Sequence, residues 1–206
     1  MKYHYILFLL FVFSQCSDKK SIKEKLNNTS GFVLDTTYHF IDSTKNRIFL
    51  KTYLAPDSNL LLSFKYFIKT NNKWEIINQF DSIPIPHGFS PDYSDFNGDK
   101  IKDFVFLAYE GGRGSNYFEH LFIYDSIKKS FKKIKGFEEV CAPSYDTTEK
   151  MIVGTGLSGS EQDIRTYNIL KDSIVQIKGE VWEDDKLLKK YKIVGGKEII
   201  IFEKKN

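Results

Sequence analysis

Hydrophobic and polar residues alternate along much of the chain after residue 45, which is the pattern of half-buried β-strands. In residues 60–69, for example, Phe64, Tyr66 and Ile68 alternate with serine and lysine. Successive side chains of a strand point to opposite faces, so this segment predicts a strand with one buried and one solvated face. Similar runs, rich in aromatic and branched residues, predict strands at 47–54, 74–77, 104–109, 117–124, 150–153, 164–170, 173–182, 187–194 and 197–202.

Short turn sequences separate these runs. Asn71-Asn72 and Gly195-Gly196 are pairs that suit two-residue hairpin turns. No segment after residue 30 shows helical periodicity, and the connections are too short for helical crossovers between parallel strands. We therefore predict an all-β fold, a single antiparallel meander that forms a curved sheet, a sandwich or an incomplete barrel.

The N-terminus has the features of an export signal. Lys2 precedes an apolar run from Tyr5 to Phe13, and Ser14-Gln15-Cys16 follow. The run is shorter than the roughly 20 apolar residues that span a bilayer, so it predicts a signal peptide. Cys16 stands where bacterial lipoprotein precursors carry the lipidated cysteine that becomes the mature N-terminus. The alternative is ordinary secretion with cleavage nearby.

These features predict the domain organisation. Residues 1–15 form the signal peptide, the polar residues 16–30 form a tether, and residues 31–206 form one β domain. We expect a lipid-anchored protein of the cell envelope, at the periplasmic face of the outer membrane or at the cell surface. Lipidation of Cys16 would leave Cys141 as the other cysteine, so we expect no internal disulfide framework.

The charge balance argues against a nucleic-acid partner. The chain carries 30 Lys and Arg against 27 Asp and Glu, a formal net charge of +3, and the basic residues are spread along the sequence. A nucleic-acid-binding domain usually concentrates its basic residues on one face or stripe.

Residues 95–103, Asp-Phe-Asn-Gly-Asp-Lys-Ile-Lys-Asp, carry oxygen-bearing side chains at their first, third, fifth and ninth positions. Calcium takes about 6 to 8 oxygen ligands. A calcium site here would use the side chains of Asp95, Asn97, Asp99 and Asp103 and the carbonyl of Ile101. An EF-hand would require an acid at the twelfth position and flanking helices, whereas this loop leads into a predicted strand. The alternative is an acidic Asn-Gly turn that binds no ion.

The nine-residue loop resembles the D-x-[DN]-x-D-x-x-x-D loop of FG-GAP and VCBS repeat proteins, with Lys100 at a position that is usually glycine. Over residues 60–206, the loop, a glycine-rich segment at 111–117 and the later aromatic strands are similar to a family of periplasmic lipoproteins. These keep calcium-loop sequences on a fold related to periplasmic lysozyme inhibitors. Some of them act as immunity proteins against peptidoglycan hydrolases.

This resemblance implies an inhibitory loop. In such inhibitors a G-x-x-Y or S-G-x-x-Y loop enters the hydrolase cleft, and Gly114-Ser115-Asn116-Tyr117 matches the shorter form. Arg113 replaces the leading serine of the longer form. Its guanidinium can pair in a bidentate manner with a catalytic carboxylate, and Tyr117 offers a ring and a hydroxyl. The alternative is a glycine-rich hairpin in which Tyr117 simply begins a strand.

We do not expect an enzyme. His39, His87 and His120 lack zinc-ligand spacing, and Ser158 lies in a G-L-S-G-S sequence that is not a nucleophile elbow. His120 alternates with phenylalanines, which favours a core or edge histidine.

The sequence therefore predicts a calcium-binding envelope lipoprotein that inhibits a peptidoglycan hydrolase or lysozyme-like protein. The alternative is a calcium-dependent surface module that binds glycan or an envelope protein.

Overall fold

Antiparallel strands form nearly all of the regular structure. A computed structural model describes residues 35–39, 41–87, 90–112 and 116–204, all within one compact unit, Gly31–Asn206. Cys16, the predicted signal peptide and the predicted tether lie outside the described residues, as do Arg113, Gly114 and Ser115. The strands are β1 (Asp35–His39), β2 (Asn46–Leu54), β3 (Leu60–Thr70), β4 (Lys73–Pro84), β5 (Pro91–Ser94), β6 (Asp103–Glu110), β7 (Tyr117–Asp125), β8 (Ser130–Lys133), β9 (Ser144–Asp146), β10 (Met151–Ser158), β11 (Glu161–Leu170), β12 (Ser173–Glu183), β13 (Lys186–Val194) and β14 (Lys197–Glu203).

The strands form three sheets, and each sheet follows chain order. Sheet A contains β1 to β4, sheet B contains β5 to β8, and sheet C contains β9 to β14. Every strand pair is antiparallel. Each sheet is thus a meander, which confirms the predicted all-β antiparallel class. A 3₁₀ turn, Phe137–Glu139, leads from sheet B toward sheet C.

Two hairpin turns have the backbone conformation that their residues predict. Asn71 and Asn72 have φ values of 49° and 61°, and Gly195 and Gly196 have 57° and 77°. Positive φ at both central residues matches the twist of antiparallel strands, and asparagine and glycine tolerate it best. These turns fix the registers of the β3–β4 and β13–β14 hairpins.

Sheet B lies between two hydrophobic cores. One core joins buried residues of β2 and β3 in sheet A to Phe104, Phe106 and Phe122 in sheet B. The other joins Val105 and Leu121, on the opposite face of sheet B, to residues of β10 and β11 in sheet C. Because both faces are covered, β6 begins with four consecutive buried residues rather than with an alternating pattern.

Aromatic rings fill the core between sheets A and B. The ring of Phe64 on β3 lies 5.0 Å from Phe122, 5.2 Å from Phe104 and 5.3 Å from Phe131 between centroids. Offset and edge-on arrangements at such distances add to the gain from burying the rings. The rings therefore fix sheet A against sheet B.

No helix in the described part of the chain has the length and apolar character needed to cross a membrane.

Candidate functional site

The predicted cation loop connects β5 to β6 and is organised by its own side chains. The Asp95 carboxylate accepts hydrogen bonds from the backbone N–H groups of Asn97 at 3.2 Å, Gly98 at 2.6 Å and Lys100 at 2.8 Å. Asn97 and Asp99 each accept a similar hydrogen bond from the backbone N–H two residues later. Asn97 Oδ1 accepts from Asp99 N at 3.0 Å, and Asp99 Oδ1 accepts from Ile101 N at 2.8 Å.

The loop backbone turns through two residues with positive φ, Gly98 at 75° and Lys100 at 69°. Lys100 therefore adopts the left-handed conformation at the position where the resembling loops carry glycine, which costs about 1 kcal/mol for a non-glycine residue. A side chain at Gly98 would collide with the hydroxyl of Tyr145 on β9. Sheet C thus packs directly against the loop.

Asp103 ties the loop to the centre of sheet B. It is fully buried, and its carboxylate accepts hydrogen bonds from Phe96 N at 2.9 Å and from Tyr124 N at 3.0 Å. Burial raises the pKa of Asp103 to about 7, against the lowering effect of those two bonds, and the nearby Asp99 and Asp95 raise the pKa further. A bound cation would favour the ionised form by offsetting this burial cost.

The loop has donor chemistry that suits calcium, since carboxylate, amide and carbonyl oxygens are hard ligands. In the part of the chain described, however, no three His, Cys, Asp or Glu side chains gather around a point that could hold a metal. The carboxylates face backbone N–H groups of the loop and of Tyr124 in β7, although each oxygen keeps a further lone pair after one such bond. Asp95, Asn97, Asp99, Ile101 and Asp103 therefore fit calcium by chemistry, and binding would require their oxygens to converge.

The predicted inhibitory loop joins β6 to β7, and its two ends are fixed. Gly111 N donates to Asn116 O at 2.6 Å. The Asn116 side chain donates from Nδ2 to Leu157 O at 2.9 Å and accepts from Leu157 N at 2.9 Å. Asn116 therefore attaches the hairpin to β10.

Tyr117 follows this attachment and begins β7. Its carbonyl accepts a hydrogen bond from Ala142 N at 2.7 Å, while its side chain is 36% exposed. Burial and the nearby Glu119 raise the pKa of Tyr117, so the hydroxyl is protonated at neutral pH. The backbone of Tyr117 thus holds its ring at the surface, where the hydroxyl can act as a hydrogen-bond donor.

A cleft of about 310 Å³ lies beside Asn116, between β7, Cys141, β10 and β11. On its wall, Arg165 Nε donates to Asp163 Oδ2 at 2.9 Å, whereas Asp163 Oδ1 is buried without a partner among the described residues. Burial raises the pKa of the Cys141 thiol. No sequence motif signals this cleft, because its residues come from distant segments.

A larger cleft, of about 470 Å³, opens between sheets B and C beside the cation loop. Asn97 and Asp99 border it on the loop side, and Tyr145, Ile152 and Tyr167 line it from sheet C. No sequence motif predicts this cleft, since its walls meet only when the two sheets pack.

His120 is a buried residue of β7. It is 4% exposed, and its Nε2 lies 3.0 Å from the carbonyl oxygen of Pro84 at the end of β4. Burial lowers the pKa of His120, so the ring is neutral at pH 7. The expected core histidine is therefore found, and it links sheet B to sheet A.

Glu119 gives the domain a testable pH dependence. Burial, with a smaller contribution from Asp92, raises its pKa to about 7. The folded state then binds a proton at Glu119 more tightly than the unfolded chain does. The contribution of Glu119 to stability is therefore full below about pH 4.5 and is lost as the pH rises through 7. We expect Glu119→Gln to be more stable than the wild type at pH 8 by about 1 to 2 kcal/mol, and to match it near pH 4.

Urea unfolding of both proteins across this pH range measures the difference. Glu161→Gln, at an exposed position, serves as the control and should leave the pH profile unchanged. A constant difference between Glu119→Gln and the wild type at every pH would contradict the role assigned to Glu119.

The comparisons with known proteins bear on the fold. No family model matches the sequence, and no curated protein is significantly similar to it. Among solved structures, the fold is similar to a Xanthomonas protein described as related to a type IV secretion system. The TM-score is 0.50 at 15% sequence identity, over 87% of this chain and 96% of that chain. The match thus extends over nearly all of both chains, and at this identity it shows a shared fold.

Proposed function

We propose that this protein is an envelope lipoprotein that binds calcium and inhibits a peptidoglycan hydrolase or lysozyme-like protein through its β6–β7 loop. The observation that carries the proposal is the attachment of this loop at both ends. Gly111 and Asn116 close its base, Asn116 is bonded to Leu157, and the exposed Tyr117 follows directly. A loop with a fixed base loses less conformational entropy when it binds a partner.

The chemistry of the loop suits a glycosidase cleft. Most such enzymes act with a pair of carboxyl groups that flank the scissile bond. Arg113 would supply a bidentate guanidinium to one carboxylate, and the Tyr117 hydroxyl would donate to another acceptor in the cleft. The role is one of binding, without a reaction catalysed by this chain.

Two further points support a place in the bacterial envelope. The fold neighbour is described as related to a type IV secretion system, which supports a secretion-related role in bacteria. The sequence around Cys16 resembles that of a lipid-anchored precursor, with a short apolar run before the cysteine. Mass spectrometry of the mature N-terminus tests the anchor, and a chain that lacks a diacylglycerol-sized addition on Cys16 would contradict it.

We expect Tyr117→Ala to weaken binding to the target hydrolase by about tenfold or more, because tyrosines at interface centres combine large contact area with a polar group. Its melting temperature should stay close to that of the wild type, since the side chain is 36% exposed. Calorimetric titration against a panel of lysozyme-type hydrolases, with a peptidoglycan-clearing assay, measures the loss.

The matched control is Tyr53→Ala, a partly exposed tyrosine of sheet A whose hydroxyl lies 3.1 Å from Ser82 Oγ. It should inhibit as the wild type does. A folded Tyr117→Ala protein with normal inhibition would exclude the β6–β7 loop from the interface. A wild-type protein that inhibits none of the panel would count against the proposed function itself.

Calcium is expected to stabilise the domain. An ion present at 100 times its dissociation constant adds about 2.7 kcal/mol when it binds only the folded state. The melting temperature in calcium should exceed that in chelator, and Asp99→Ala should remove the difference. Asp57→Ala, in the exposed turn that precedes β3, is the control and should retain it. Identical wild-type melts in calcium and in chelator would show that residues 95–103 form an acidic turn.

A second candidate function rests on the larger cleft, because Asn97 and Asp99 of the cation loop border it. A glycan or an envelope protein bound there would contact the loop and the aromatic residues of sheet C. A pull-down from envelope extract, with and without chelator, separates the candidates. Recovery of a hydrolase that depends on Tyr117 supports inhibition, whereas calcium-dependent glycan recovery that does not depend on Tyr117 supports the second candidate.

A further inference from the structure

The last strand of sheet C has an unusual edge. Within the part of the chain described, β14 pairs only with β13. All seven of its residues are exposed. Four consecutive ones are large hydrophobic residues, each at least 43% exposed: Ile199, Ile200, Ile201 and Phe202. Since neighbouring side chains point to opposite faces, β14 presents apolar side chains on both faces beside a row of unpaired backbone groups.

Three of the five other edge strands of the described sheets carry the usual protections against strand pairing. β5 has four residues and begins with Pro91, β9 has three, and β8 has four and ends in two lysines. The long edge strand β4 contacts β8 at one point, where Phe131 N donates to Asn78 Oδ1 at 2.6 Å. In β14 such devices are limited to Lys197 at its start and a bulge at Ile201, which has no partner on β13. Its central hydrophobic residues lack an intervening charge.

The charges at the two ends of β14 are complementary to each other. The strand reads Lys197-Glu198-Ile199-Ile200-Ile201-Phe202-Glu203. If two copies align antiparallel about a two-fold axis at Ile200, Lys197 of each copy lies opposite Glu203 of the other. Parallel alignment in register would instead place lysine against lysine and glutamate against glutamate, which is unfavourable.

We propose that β14 is a dimerisation strand, which pairs antiparallel with β14 of a second copy of this chain about a two-fold axis at Ile200. The pairing satisfies the free backbone groups of β14 and brings Ile199 of one copy opposite Ile201 of the other. It joins two six-stranded sheets into one continuous sheet. Because the contact is self-complementary, it closes at two copies and leaves no exposed β14 edge for further growth.

The second copy fits this edge better than an unrelated strand does. A foreign strand would need its own complementary charges, whereas the two Lys197 to Glu203 pairs arise from the symmetry alone. Sheet A and the β6–β7 loop take no part, so this interface is independent of the proposed inhibitory function.

Sedimentation equilibrium of the purified full-length chain tests the proposal, with a dimer expected at micromolar concentration. Ile200→Lys should give a folded monomer with a circular dichroism spectrum like that of the wild type. Ile127→Lys, at a position that is 93% exposed in the β7–β8 turn, should remain dimeric. A wild-type chain that stays monomeric, or an Ile200→Lys chain that stays dimeric, would overturn the proposal.

Charge reversal tests the register. Lys197→Glu alone and Glu203→Lys alone each place like charges opposite one another at both ends of the interface, so each should weaken self-association by about tenfold or more. A mixture of the two variants restores opposite charges at both ends and should form heterodimers. If the two variants dimerise as well alone as they do when mixed, the antiparallel alignment at Ile200 is wrong.

Discussion

Asp103→Ala is expected to destabilise the domain by about 2 to 5 kcal/mol, because it leaves two buried N–H donors without an acceptor at about 1 to 3 kcal/mol each. These donors are the backbone amides of Phe96 and Tyr124, which both bond to the Asp103 carboxylate. The first lies in the cation loop and the second in the central strand β7. Urea unfolding in the presence of a chelator measures this loss separately from any effect of calcium.

Two further variants make the test specific. Asp103→Asn keeps one acceptor oxygen, but its NH₂ group then faces one of the two backbone N–H donors. An intermediate loss of stability is therefore expected. Lys102→Ala, at the adjacent exposed position, should change stability by less than about 0.5 kcal/mol. If Asp103→Ala is as stable as Lys102→Ala, the carboxylate does not hold the loop to sheet B.

Phe122→Ala should cost about 3 to 5 kcal/mol, the usual range for removing a buried aromatic side chain and leaving a cavity. The Phe122 ring is fully buried, with ring centroids of Phe64 and Phe80 at 5.0 Å and of Phe106 at 5.5 Å. Its loss removes contacts of sheet B with sheet A and also within sheet B. Denaturant unfolding followed by circular dichroism measures the change.

Phe122→Leu provides the matched comparison, since it keeps most of the hydrophobic volume and should cost less than about 1.5 kcal/mol. Ile127→Ala, at a side chain that is 93% exposed, should be nearly neutral. A loss below about 1 kcal/mol for Phe122→Ala would mean that sheets A and B pack more loosely than the ring distances indicate.

Local features of this fold were predictable from the sequence. The hairpins at Asn71-Asn72 and Gly195-Gly196 follow from turn chemistry, and the strands that flank them follow from alternation. The short strands β1, β5 and β9 were not predicted, because five, four and three residues give too little pattern to recognise. β4 extends to Pro84, well beyond its predicted end at residue 77, and it does so through register shifts that alternation cannot reveal.

The arrangement of the layers depends on contacts between distant segments, so the sequence alone could not supply it. The pattern at 104–109 predicted a strand, but nothing local indicated that separate sheets would cover both faces of β6. The candidate site also combines local contacts with contacts between distant segments. The bonds of Asp95 to its own loop are local, whereas the bond of Asp103 to Tyr124 and those of Asn116 to Leu157 span 21 and 41 residues.

The chain-order topology also has a consequence for biogenesis. Each sheet is completed by one contiguous stretch of chain, so strand pairing can begin as the polypeptide emerges with its N-terminus first. The aromatic face of sheet A, however, gains its cover only after β6 to β8 have been synthesised. During that interval the nascent chain presents Phe64, Tyr66 and Phe80 uncovered, which is the stage at which aggregation or chaperone binding is expected to be greatest.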